Sequence, residues 1–140
     1  MRIVSGMTSI ETGRAETRTI TIAAAPARVV DYLSDGRHLP EWAPGFAPAV
    51  EHEQGDVWRI PGAGEPRRVV VRAAKGHGVV DFVSADAPNQ GLFARVLPNL
   101  AGAELIFSLF FPEGTEPSAV DAQMAVLAQE LEAVRERVEA

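Results

Sequence analysis

Towards the end of the chain, apolar residues fall at Val120, Met124, Leu127, Leu131, Val134 and Val138. The steps alternate four and three, and at about 100° per residue the six positions lie within about 80° of a helical wheel. Pro117 suits an early helical turn, and Ser118 with Asp121 reads as a capping box. The pattern predicts one long helix over 115–140 that needs a surface to lie on. Upstream the period drops to two. Thr17, Thr19 and Thr21 alternate with Arg18, Ile20 and Ile22, which predicts a strand with Ile20 and Ile22 inward. Pro26 opens a short helix with Val29, Val30 and Leu33 on its apolar side and Tyr32 beside them, ended by Asp35-Gly36. His38-Leu39-Pro40-Glu41-Trp42-Ala43-Pro44-Gly45 frames one more helical turn, with Leu39 and Trp42 tucked against the core.

Six further strands are predicted over 46–53, 56–60, 67–74, 79–84, 92–97 and 104–111. Turn residues separate them: Gln54-Gly55, Pro61-Gly62-Ala63-Gly64, Lys75-Gly76-His77-Gly78, Ala87-Pro88-Asn89 and Pro98-Asn99-Leu100-Ala101-Gly102. Short turns make an antiparallel meander. The expected fold class is α+β: a curved seven-stranded antiparallel sheet, in the order β-α-α-β6-α, wrapped around the C-terminal helix. Side chains alternate in and out of such a sheet, so its concave side can line a cavity.

Composition narrows the function. The chain has 140 residues, 46% hydrophobic and 23% charged, with a net charge of −6. That suits one folded domain, expected over 15–140, and disfavours nucleic-acid binding. There is no cysteine, which excludes disulfides and thiolate ligands and fits a cytoplasmic setting. No apolar run is long enough to span a membrane. Residues 1–14 hold Ile3 and Val4 together before Ser5 and Gly6. They lack a signal-peptide core and read as a flexible tail, with Met7 an alternative start.

The stretch Ala25-Pro26-Ala27-Arg28-Val29-Val30-Asp31-Tyr32-Leu33-Ser34-Asp35, followed by Leu39-Pro40-Glu41-Trp42, resembles the signature of the SRPBCC superfamily. That group includes START domains, pollen-allergen-type ligand binders and polyketide cyclase/dehydrase-like proteins. Its pattern runs A-P-x-x-V-W/F-x-x-L-x-D and then P-x-W; here Val30 stands where an aromatic is usual. Asp56-Val57-Trp58-Arg59-Ile60, Val80-Asp81-Phe82 and Ala103-Glu104-Leu105 are also similar to the sheet of that group. The resemblance implies the helix-grip fold. It leaves function open, because the superfamily contains enzymes, carriers, regulators and sensors.

Candidate chemistry follows. Trp42, Trp58, Phe82, Phe93 and Phe107, with Arg59 beside Trp58, are candidate lining residues for an apolar pocket. Met124 and Leu127 are expected nearest a ligand. Asp81 in one apolar strand and Arg95 in the next are expected as cross-strand neighbours. Facing inward, they would make an acid/base pair, with Tyr32 a third catalytic candidate. His38, His52 and His77 have no metal-ligand spacing, so neither a metal nor a cofactor is expected. Gly62-Ala63-Gly64 precedes a strand and not a helix, which excludes a phosphate loop. The acidic residues of the last helix, Glu130 among them, read as a solvated face.

Three functions remain. The first is a binding protein for a hydrophobic or aromatic small molecule, lipid-like or polyketide-like. The second is a cyclase/dehydrase-like enzyme. The third is an interaction module dimerising through the last helix, which leaves the chain a monomer or a weak homodimer.

Overall fold

The computed structural model describes residues 10–140. The elements run β1 (Arg14–Ile22), α1 (Pro26–Ser34), a 3-10 turn (Gly36–His38), α2 (Leu39–Trp42), β2 (Glu51–Gln54), β3 (Val57–Ile60), β4 (Arg67–Ala74), a second 3-10 turn (Lys75–His77), β5 (Val79–Ser84), β6 (Gly91–Asn99), β7 (Gly102–Phe111) and α3 (Pro117–Glu139). The seven strands form one antiparallel sheet in the order β1-β7-β6-β5-β4-β3-β2. The meander closes on β1, which pairs with β7 from Arg14↔Phe111 to Ile22↔Ala103. Helix α3 packs along β1 and β7 and against the short helices, the helix-grip arrangement that the strand and helix pattern predicts.

Register decides which side chains meet, because directly paired residues share a face. The inner face carries Ile22, Ala103, Leu105, Phe107, Ala94, Val96, Val80, Phe82, Val69, Val71 and Ile60, all buried. Against them lie Val120, Met124, Leu127, Leu131, Val134 and Val138 of α3, also buried. The seam is therefore used within the chain. Val29, Val30 and Leu33 of α1 and Leu39 and Trp42 of α2 close one end of this core.

Several boundaries differ from expectation. The strand predicted from residue 46 begins only at Glu51. Phe46 and Ala47 instead donate backbone hydrogen bonds to the Ala43 carbonyl, so the chain curls on after α2. The long turn expected over 98–102 is a tight hairpin, with Asn99 paired to Gly102 and Leu100 in the left-handed region at φ 52°. The capping box is absent. Pro117 takes the first helical position behind Glu116, which places Ser118 inside the helix, and no side chain caps it. Of the tail expected over 1–14, residues 1–9, with both candidate starts, lie outside the described residues, and Arg14 already belongs to β1.

Candidate functional site

Between the inner face of the sheet and the flank of α3 lies a cavity of about 480 Å³. That is within the roughly 300–1,000 Å³ typical of small-molecule sites. Its walls come from both sides of the fold. Leu39, Trp42, Ala43 and Phe46 line it from α2 and the loop behind it; Ile60, Val69, Phe82, Leu92 and Leu109 from the sheet; Gln123, Leu127 and Glu130 from α3. Arg67, Arg68, Ser84, Asp86 and Gln90 add polar groups.

The α3 residues explain the position of the cavity. Gln123, Leu127 and Glu130 recur at i, i+4 and i+7 and so share one stripe of the helix. On the wheel Gln123 and Glu130 sit about 20° and 40° beyond Val134, on one flank of the buried seam. Most of the seam meets a solid core; Leu127, at its edge, and the flank beside it meet the cavity.

Glu130 is the chemically distinctive wall residue. Only 9% of it is exposed. Burial alone pushes its carboxyl from the ordinary 4.5 up to about 7. Among the described residues no basic side chain or hydrogen-bond donor offsets that burial, so near neutrality the group is poised between acid and carboxylate. The expectation of a solvated acidic face for α3 fails at this residue.

Trp42 forms the aromatic wall. Its ring meets Phe82 edge-on at 5.2 Å and Phe107 at 5.6 Å. Its indole Nε1 is buried without a hydrogen-bond partner among the described residues. At the mouth, Arg67 lies over the Phe46 ring at 5.1 Å and donates to the Phe46 carbonyl at 2.6 Å. Arg68 is held by Glu53 at 3.0 Å.

The other expected site residues are dispersed. Trp42, Phe82 and Leu127 line the cavity. Phe107 and Met124 are buried in the adjoining core and do not reach its wall. Trp58 is on the inner face but packs against Gly36 and lies beside His52, with ring centroids 4.8 Å apart. Arg59 and Phe93 point to the outer face, where Arg59 pairs with Glu51 and Phe93 meets Phe110.

Asp81 and Arg95 are indeed neighbours, at 2.7 Å, but on the outer face. Asp81 is opposite Arg72 and Phe93, and register turns these away from Val80 and Phe82. Arg72 approaches the second carboxyl oxygen at 3.2 Å. The pair thus lies across the sheet from the cavity, and the inward condition on which its acid/base role depended is not met. Tyr32 does not line the cavity either. It stacks on His38 with centroids 4.3 Å apart and donates to Glu41 at 2.8 Å. Burial, and then the Glu41 hydrogen bond, push its phenol well above the usual tyrosine range.

Sequence reasoning missed Glu130, Gln123, Phe46, Leu92 and Leu109 as wall residues. The wheel position of Gln123 and Glu130 beside the seam was the available signal. Among the described residues no three metal-ligating side chains cluster, and no helix is long and apolar enough to cross a membrane.

The fold has many relatives of known structure. The aromatase/cyclase Zhui of a Streptomyces species is 18% identical, with 90% of this chain and 93% of that chain covered at a TM-score of 0.58. XoxI of Bacillus cereus is 17% identical, covering 89% and 94% at 0.69. The Aha1 dimer of Colwellia psychrerythraea is 13% identical, covering 90% and 96% at 0.68. At such identities the likeness establishes the fold alone. No curated protein matches in sequence. The family model described as polyketide cyclase / dehydrase and lipid transport matches residues 15–139. With the sheet, the grip helix and almost the whole chain accounted for, the protein belongs to that family, within the SRPBCC superfamily.

Proposed function

We propose that the chain is a small-molecule binding protein whose ligand occupies the cavity between α3, α2 and the inner face of the sheet. The observation that carries this reading is an apolar cavity of about 480 Å³ whose wall holds one buried carboxyl without a partner. A few polar groups in an apolar concavity are what orient a ligand in such sites. The family's description, with its cyclase, dehydrase and lipid-transport members, supports a hydrophobic occupant. The seam of α3 being internal, self-association through it is not part of the proposal. A ligand retained in native mass spectra, or a thermal shift from members of an apolar and aromatic panel, is the expected result. Ligand-free spectra together with no shift across the panel would overturn it.

A second reading is a cyclase- or dehydrase-like enzyme. It is favoured by Glu130, since a carboxyl that titrates near pH 7 in an apolar site suits proton transfer. In this reading Glu130 is the acid/base group in place of Asp81, Arg95 and Tyr32. With a turned-over substrate in hand, Glu130→Gln should abolish the rate and Asp81→Asn should leave it intact; the reverse outcome refutes the assignment.

A further inference from the structure

We propose that the cavity selects an apolar molecule carrying an amine, whose ammonium group sits on the Glu130 carboxylate. This rests on the ligand-binding reading above and names the head group. The first observation is the isolation of Glu130. Among the described residues it bridges no two elements, caps no helix and joins no ion pair, so none of them uses its carboxyl. An acid at a buried wall position would be better replaced by leucine if packing were its role.

The second observation is that the cations near the cavity are engaged elsewhere. Arg67 is turned onto the Phe46 ring and carbonyl, and Arg68 onto Glu53. On β1 the inner-face residues Arg14 and Arg18 both pair with Glu16. On α2 Glu41 accepts from Tyr32 and lies 3.8 Å from Arg137. The remaining charged wall residue, Asp86, is acidic. The complement that Glu130 lacks is therefore a cation, and it has to arrive with the ligand.

The third observation is aromatic. Trp42 and Phe82 line the same cavity as Glu130, and aromatic faces attract ammonium groups. A carboxylate head would meet the Glu130 carboxylate with like charge, and a hydroxyl could hydrogen-bond to it but would bring no charge to balance it. Binding has a definite proton balance. Near pH 6 the free protein holds Glu130 mostly as the acid, and an aliphatic amine is already protonated. Forming the pair releases one proton from Glu130 to the buffer, and no other bond changes.

The test is calorimetric titration with decylamine, decanol and decanoate, each in two buffers of different ionisation enthalpy. For decylamine near pH 6 the expected release approaches one proton per ligand. Near pH 8.5 it falls to almost none, and binding is about tenfold tighter. Glu130→Gln should remove both the proton release and the pH dependence while decanol still binds. The comparison of pH values in the unaltered protein needs no variant, so it stands even if the substitution unfolds the chain. If decanol binds as well as decylamine, with no proton released, the amine proposal fails and the cavity reading survives. If none of the three binds, both fail.

Discussion

Glu130 sets a stability profile as well as a binding profile. Its folded pKa, about 7, lies above the unfolded value of 4.5. The folded state therefore binds more protons between those values, and stability falls as pH rises through that window. Below about pH 4.5 the contribution is fully present; above about pH 7 it is lost. The cost of ionisation is on the order of 2 kcal/mol after discounting for cavity water. Urea unfolding of the wild type and Glu130→Gln at several pH values should give curves that converge at low pH and separate by about that amount at pH 8. Parallel curves would mean that Glu130 ionises freely in the folded protein.

Trp42 makes the opposite kind of argument. Its ring fills the junction of α2, Phe82 and Phe107, while its N–H has no acceptor. Trp42→Phe removes an unsatisfied donor, worth about 1–3 kcal/mol, and gives up some packing. Trp42→Ala removes the ring and should cost about 3–5 kcal/mol. Denaturant midpoints should place the Phe variant near the wild type and the Ala variant far below. Equal losses would mean that the indole N–H has a partner in solution.

Between elements, register is what separates site from scaffold. Asp81 is buried on the outer face between Arg72 and Arg95, and it ties β4, β5 and β6. Asp81→Asn leaves two guanidiniums facing a neutral amide and should cost about 1–3 kcal/mol. Ligand affinity, read by the same titrations, should not change. A loss of affinity without loss of stability would return Asp81 to the site. Gly36 is a second contact between elements. A Cβ there would fall inside the indole of Trp58, so Gly36→Ala must displace that ring or the strand carrying it and should cost about 1–3 kcal/mol by thermal unfolding. An unchanged melting temperature would mean that Trp58 yields freely.

Much of this was legible in the sequence. The six seam residues of α3 are all buried, and the period-two strands and their turns gave the seven-stranded meander. What the sequence could not supply was the sense of each face. Val80 and Phe82 alternate with Val79, Asp81 and Val83 in β5, and both sets are largely apolar. Such a strand reads the same either way up until its partners fix it. For this reason the pattern leaves the face of Asp81, Arg95, Arg59 and Phe93 open, and register puts all four on the outer one. Glu130 was passed over for another. A carboxylate on an amphipathic helix is usually solvated, and only the open space beside the seam makes this one a wall residue.

At the scale of the whole molecule, the fold is a clamp. The sheet curves around α3, the short helices stop one end, and the space left along one flank of α3 is the cavity. A solid core would need no such flank, and its polar residues would be free to reach water. Apart from Leu127, which belongs to both, the cavity and the helix seam are separable: filling the first should leave the second intact. Leu92 is half-buried on the inner face and lines the cavity without belonging to the seam. Leu92→Trp should occlude the space while the core holds. The most direct measurement is a fluorescence titration of the wild type and Leu92→Trp with the neutral apolar probe N-phenyl-1-naphthylamine, alongside their thermal unfolding. Saturable binding of one probe per chain in the wild type, lost in the variant at a nearly unchanged melting temperature, is the expected result. No saturable binding in the wild type, or equal binding in the two, would contradict a ligand site in this cavity.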